Sequence, residues 1–147
     1  MANLNELDID SVAQAGLMFL DGDILENVLI DKVGHVDYDF DRFNRVKEVV
    51  MKIEKINPNL SLTAVVWQKK LTNRHLMIPV IAGNSLPLEG WAYADINDKA
   101  LEAFGGVFGA VLKRGGVYSH YYPIRNSLYE IVGVLELFTG QYGAVDI

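Results

Sequence analysis

The stretch GGVYSHYYPIRNSLYEIVGVLEL, residues 115–137, constrains the fold more than any other part of the chain. Two runs of alternating character flank a polar turn at Arg125-Asn126-Ser127, which is the pattern of an antiparallel hairpin. Strand side chains alternate between faces. Tyr118, His120, Tyr122 and Ile124 therefore share one face, and Val117, Ser119, Tyr121 and Pro123 share the other. An even-length loop would add Ile131, Gly133, Leu135 and Leu137 to the first face, which is expected to point inward. Glu130, Val132, Val134 and Glu136 would fall on the second, half polar and expected to be partly solvated. Gly133 would leave space beside His120 or beside Ile124, depending on register. The rings of Tyr118, His120 and Tyr122 have two readings: sheet core with satisfied polar tips, or the wall of a ligand pocket.

Upstream, residues 39–57 carry the clearest helical pattern. Phe40, Phe43, Val46, Val50 and Ile53 form one stripe, flanked by Val49 and Ile56. Asp37 or Asp39 can cap its start, and Asn57-Pro58 ends it. Strand-like runs follow at 60–68 and 75–83, with Pro79 marking an edge or a bulge in the second. A short extended run at 91–95 precedes a helix at 96–104, with Asn97 as cap and Gly105-Gly106 as stop. Residues 107–114 complete the set as a further strand, with a second helix as the alternative. Residues 1–36 read as a short helix and a hairpin, with Asp21-Gly22 as its turn. The fold class is α+β: an antiparallel sheet of about five strands, a long helix before it and a short helix crossing it. Three divisions are expected: an N-terminal arm over 1–36, a domain over 37–140 and a tail over 141–147.

Composition removes several functions. The net charge is −6, from 13 basic and 19 acidic residues, and the basic pairs Lys69-Lys70 and Lys113-Arg114 are too small a track for nucleic acid. There is no cysteine, which removes disulfides, thiolate metal sites and a thiol nucleophile. The opening residues MANLNELDID are not those of a signal peptide, and no apolar run reaches the roughly 20 residues of a membrane helix. A soluble cytoplasmic protein is expected, with an excised extracytoplasmic domain of a receptor as the alternative.

The C-terminal half resembles the PAS-like sensor modules of the Cache type. The resemblance rests on ADINDKALEAFGG and on the hairpin, where Pro123-Ile124, Asn126-Ser127 and Ile131-Val132-Gly133-Val134-Leu135 stand in the places of the family's strand, turn and strand. It covers about residues 39–138. Leu128-Tyr129 depart from the acidic residue and glycine usual in that turn, and the family's amino-acid-binding signature is absent. Profilin-like sheets share the same layout. A second resemblance, over residues 1–83 and carried by AGLMFLDGDILENVLI, is to roadblock or longin-type dimeric scaffolds.

The residues suggest binding more than catalysis. His35, His75 and His120 show no metal-ligand spacing, and neither a phosphate-loop pattern nor a nucleophile elbow is present. No enzymatic activity, metal or cofactor is expected. The Cache resemblance implies a non-catalytic small-molecule sensor that signals through a homodimer. Trp91, Tyr93 and Asp95 would close over the sheet, and Tyr118, His120 and Tyr122 would form the floor. Arg114, or Arg74, would counter a carboxylate. The alternative is a roadblock-like dimeric scaffold without ligand.

Overall fold

The computed structural model describes residues 4–32, 35–70, 73–83 and 94–139; of residues 4–7, 30–32, 35 and 36 it describes the backbone. The chain opens with helix α1 (Leu4–Phe19), a single-turn helix α2 (Gly22–Leu25) and a small hairpin of β1 (Leu29–Lys32) and β2 (His35–Tyr38). Helix α3 (Phe40–Ile53) follows, then β3 (Leu62–Lys70), β4 (Asn73–Ala82) and the two-residue β5 (Ala94–Asp95). Helix α4 (Asp98–Phe104) precedes β6 (Ala110–Arg114), β7 (Val117–Arg125) and β8 (Ile131–Thr139).

The architecture is the expected α+β one, with a six-stranded antiparallel sheet in the order β5-β4-β3-β8-β7-β6. The first long strand, β3, and the last, β8, are neighbours at its centre. Capping explains where the helices begin. Asp39 accepts from the Arg42 amide at 3.2 Å at the start of α3, and Asn97 accepts from the Ala100 amide at 2.8 Å at the start of α4. Pro79 sits opposite Trp67, beside a bulge at Val66/Trp67, where a missing amide hydrogen does least harm to the ladder.

Both faces of the sheet are covered. On one face Val46, Val50 and Ile53 of α3 pack with Ile9, Val12 and Ala13 of α1, Leu25 of α2, and Ala64, Val66, Tyr122, Ile124, Leu135 and Leu137 of the sheet. On the other, Ala100 and Ala103 of α4 meet Val65, Trp67, Met77, Tyr121, Val134 and Phe138. The second face of the hairpin is thus core, not partly solvated: Val134 is fully buried and Glu136 is 6% exposed. Alternation alone gives no sign of α4, which covers it.

Several other expectations are corrected. The Asp21-Gly22 pair is no hairpin turn; Asp21 caps α2, accepting from the Asp23 and Ile24 amides, and the hairpin lies at 29–38. Leu17, Phe19 and Ile24 consequently lie on helices rather than strands. Phe40, at the first turn of α3, is exposed and stands beside Tyr38, so the stripe's buried part begins later. Register puts Gly133 opposite Ile124, four residues from His120, which pairs with Leu137. A bulge at Ile124/Arg125 breaks the parity of the hairpin, so Val132 rather than Ile131 packs against the α1–α3 core. No described helix is long and apolar enough to cross a membrane.

Candidate functional site

The hairpin β3–β4 and the hairpin β7–β8 lie side by side with their tips at the same end of the sheet. They are joined by β3–β8 pairing, and that ladder ends at Trp67↔Val134. Beyond it β3 continues with β4 alone, through Gln68↔Ile78 and Lys69↔Met77, while Gly133 and Ile131 pair with β7. The two hairpins fork. Bulges at Val66/Trp67, Lys69/Lys70 and Ile124/Arg125 lie on both arms of the fork, and bulges add local twist that drives adjacent strands apart.

The Gln68 side chain fills the base of the fork. Its amide nitrogen donates to the Val132 carbonyl at 2.9 Å, replacing the strand bond that the splay removes, and it reaches the Leu25 carbonyl at 3.4 Å. Gly133 allows a close approach here. A Cβ on it would stand 3.0 Å from the Trp67 carbonyl oxygen and 3.2 Å from a Leu25 methyl.

Above this base lies an open cleft of about 290 Å³, lined by Glu26, Leu29, Gln68, Lys69, Arg74, Phe104, Ile131 and Val132. Its outer wall is fixed by α2, which docks on the β7–β8 turn. Gly22 packs directly on the Arg125 carbonyl, where a Cβ could not fit. Asp23 accepts from both the amide and the hydroxyl of Ser127 at 3.0 Å, and these two bonds hold its carboxyl below the usual aspartate range. Asn126 donates to Glu26 at 3.4 Å and to Glu130 at 3.2 Å. The opposite wall is the end of α4: the Lys69 ammonium sits 5.2 Å from the centre of the Phe104 ring. Arg74, at the start of β4, is exposed at the rim. The cleft therefore combines two cations, a carboxylate, an amide and an apolar lining.

A second polar cluster lies under α4. Glu136, in the centre of β8, accepts from the Trp67 indole at 2.8 Å and is bonded by Ser119 and Tyr121. Burial pushes its carboxyl above the ordinary glutamate value, against the opposing pull of these donors and of the Arg114 charge. Tyr121 is pushed up to about 12, first by burial and then by the Glu136 charge. Its hydroxyl accepts from the Asn97 side chain at 3.1 Å, so the residue that caps α4 is tied to the buried acid through one ring.

The expected site residues that the structure describes are not brought together. Trp91 and Tyr93 lie outside the described residues. Asp95 is exposed on β5, at one edge of the sheet, and Arg114 is exposed on β6, at the other. Tyr118 is 42% exposed, with the Lys113 ammonium 5.8 Å from its ring centre. His120 is 2% exposed, between Val111 and Leu137 of the flanking strands. Tyr122 is fully buried in the α1–α3 core; its hydroxyl donates to Asp10 of α1 at 2.7 Å, and its ring meets Phe108 edge-on at 4.7 Å. Burial, then the bond and charge of Asp10, raise the Tyr122 hydroxyl well above the ordinary tyrosine value. Asp95, Arg114, Tyr118, His120 and Tyr122 do not line the cleft, whereas Arg74, the alternative to Arg114, does.

Sequence reasoning did not find the cleft. Its only signal was Lys69 and Arg74 on the two sides of one turn, a pattern that a solvated hairpin tip also produces. Among the described residues, no group of histidine and acidic side chains could hold a metal ion. No protein-family model matches the chain, and comparison with curated proteins gives no match.

Proposed function

We propose that the chain is a non-catalytic small-molecule-binding sensor domain of the PAS/Cache type, with its ligand in the cleft between the hairpin tips rather than against the ring face. The fork at the sheet centre carries this reading. It supplies a concavity in which four polar side chains, Glu26, Gln68, Lys69 and Arg74, converge beside four apolar ones, and concavities with convergent polar groups are where ligands bind. The position also suits a sensor. The cleft touches α2, β1, both hairpins and the end of α4. A ligand there would bias how these elements sit against one another, and such differential binding is what shifts a conformational equilibrium. Fold alone does not carry the assignment.

Native mass spectrometry of the purified full chain tests the proposal, since it reports bound small molecules and oligomeric state together. A retained ligand that is lost on Gln68→Ala or Val132→Trp substitution supports it. A ligand-free protein whose cleft amides give no chemical-shift response to a broad metabolite mixture argues against it.

The roadblock-like scaffold reading is favoured by a different observation. Met18, Phe19 and Phe40 are 82%, 71% and 69% exposed, more apolar surface than a helical layer needs for its own sheet. A dimer at low micromolar concentration without ligand, broken by Phe19→Glu or Phe40→Glu, would support that reading.

A further inference from the structure

We infer that the fork cleft takes a small organic monoanion, its oxyanion held between Lys69 and Arg74 and its apolar body against Phe104, Ile131 and Val132. This rests on the cleft being the ligand site. The chain carries a net charge of −6. Arg42 pairs with Asp39 at 3.3 Å, Lys52 with Glu48 at 3.8 Å and Lys99 with Glu102 at 3.0 Å. What distinguishes Lys69 and Arg74 is that they share one recess. Among the described residues neither has an ion pair, although both line one concavity. Lys69 is instead held over an aromatic face, which fixes its ammonium without neutralising it. Among the described residues the recess holds two cations against one carboxylate, a local positive excess in an acidic protein that focuses potential onto a small anion. Arg74 adds the planar fork that matches a carboxylate.

The same lining sets limits on the ligand. Leu29, Phe104, Ile131 and Val132 offer apolar contact that a bare inorganic ion would leave unused. A volume of about 290 Å³ holds roughly ten groups of water size at ~30 Å³ each. Glu26 shares the recess, its carboxylate held by Asn126. A second anionic group on the ligand would face that carboxylate, whereas a hydroxyl or amide donor would satisfy it. The chemistry recognised is therefore one oxyanion on a short apolar body, not a polyphosphate or a tricarboxylate.

Benzoate, benzamide and citrate are suitable probes for titration calorimetry and amide chemical-shift mapping on the full chain at neutral pH. Benzoate should shift the amides of residues 68, 69, 74, 131 and 132 and bind at least about tenfold more tightly than its neutral isostere benzamide. Lys69→Gln and Arg74→Gln should each weaken benzoate by about tenfold while leaving benzamide and the melting temperature unchanged. Raised salt should weaken benzoate alone. Equal binding of benzoate and benzamide, unaffected by either substitution, would overturn the anion assignment and leave ligand binding in the cleft standing. Citrate outcompeting benzoate would overturn the single-charge limit. No response to any probe, from a protein that also purifies without a bound molecule, would remove both this inference and the sensor reading.

Discussion

Replacing Glu136 separates two effects that a buried acid usually confounds: its hydrogen bonds and its charge. The carboxyl is 6% exposed, accepts the Trp67 indole at 2.8 Å and ordinarily titrates near 4.5. Burial raises that value in the folded protein. The folded state therefore binds the proton more tightly than the unfolded chain. The stability this group contributes is fully present below 4.5 and is lost as pH rises toward the folded value, at about 1.4 kcal/mol per pH unit. This is the reverse of the usual salt-bridged carboxylate. Glu136→Gln keeps an oxygen for the indole and removes the titration. It should match wild type within about 1 kcal/mol near pH 5 and exceed it at pH 8, with a shallower pH dependence. Glu136→Ala removes the acceptor altogether. A buried donor facing a void costs about 1–3 kcal/mol, and the lost packing brings the total to about 3–5 kcal/mol at every pH. Urea unfolding of the three proteins at half-unit steps from pH 5 to 9 measures the differences directly. A glutamine variant whose stability runs parallel to wild type across that range would show that Glu136 does not titrate there. One as unstable as the alanine variant would show that the charge itself is required.

Three further outcomes follow from packing. Gly133→Ala should lose about 1–3 kcal/mol in chemical denaturation, because its Cβ would meet the Trp67 backbone carbonyl at 3.0 Å and that carbonyl cannot retreat without breaking the central ladder. Tyr122→Phe should lose about 1–2 kcal/mol by removing the 2.7 Å bond to Asp10, and Asp10→Ala should cost less in that background than in wild type, the difference in a double-mutant cycle being the coupling. A chain beginning at Gly34 lacks the buried side chains of Ile9, Val12, Leu20, Leu25 and Val28. At about 1.5–3 kcal/mol each this approaches the whole stability of a typical domain. It should show no cooperative melt by circular dichroism, and a cooperative one would mean that the remaining core closes without α1 and α2.

The parts of the fold that local chemistry dictates were legible. Residues 39–57 concentrate their apolar side chains on one helical face, and Asp39 and Asn97 act as the caps their types suggest. The strands of the last hairpin follow from their alternation. Helix α1 was harder to read, because Met18 and Phe19 lie outside its buried set and blur the stripe. The Asp21-Gly22 pair resembled a turn because an aspartate before glycine serves a helix cap and a hairpin equally well. The candidate site was less legible still. The cleft exists because two hairpins separated by residues 83–116 diverge beyond Trp67 and Val134, which depends on twist and bulges rather than on residue type. Glu136 sits at a position whose period reads as solvated. The helix that buries it lies more than 30 residues upstream. A buried tryptophan that needs an acceptor for its indole was the one clue to it.

The central pairing of β3 with β8 also sets the order in which the protein can be made. During synthesis β3 and β4 emerge as a hairpin early, but the strand that must fill β3's other side spans Ile131–Thr139, close to the end of the described chain. Until it arrives, Ala64, Val65, Val66 and Trp67 present an apolar strand edge with free backbone groups, the kind of surface on which nascent chains aggregate. Closing so long a loop is slow even though its entropy grows only logarithmically with length. A ribosome stall or a nonsense codon before residue 131 therefore yields no smaller version of the sheet. It leaves two unjoined halves, and such a product is a substrate for chaperones and proteases.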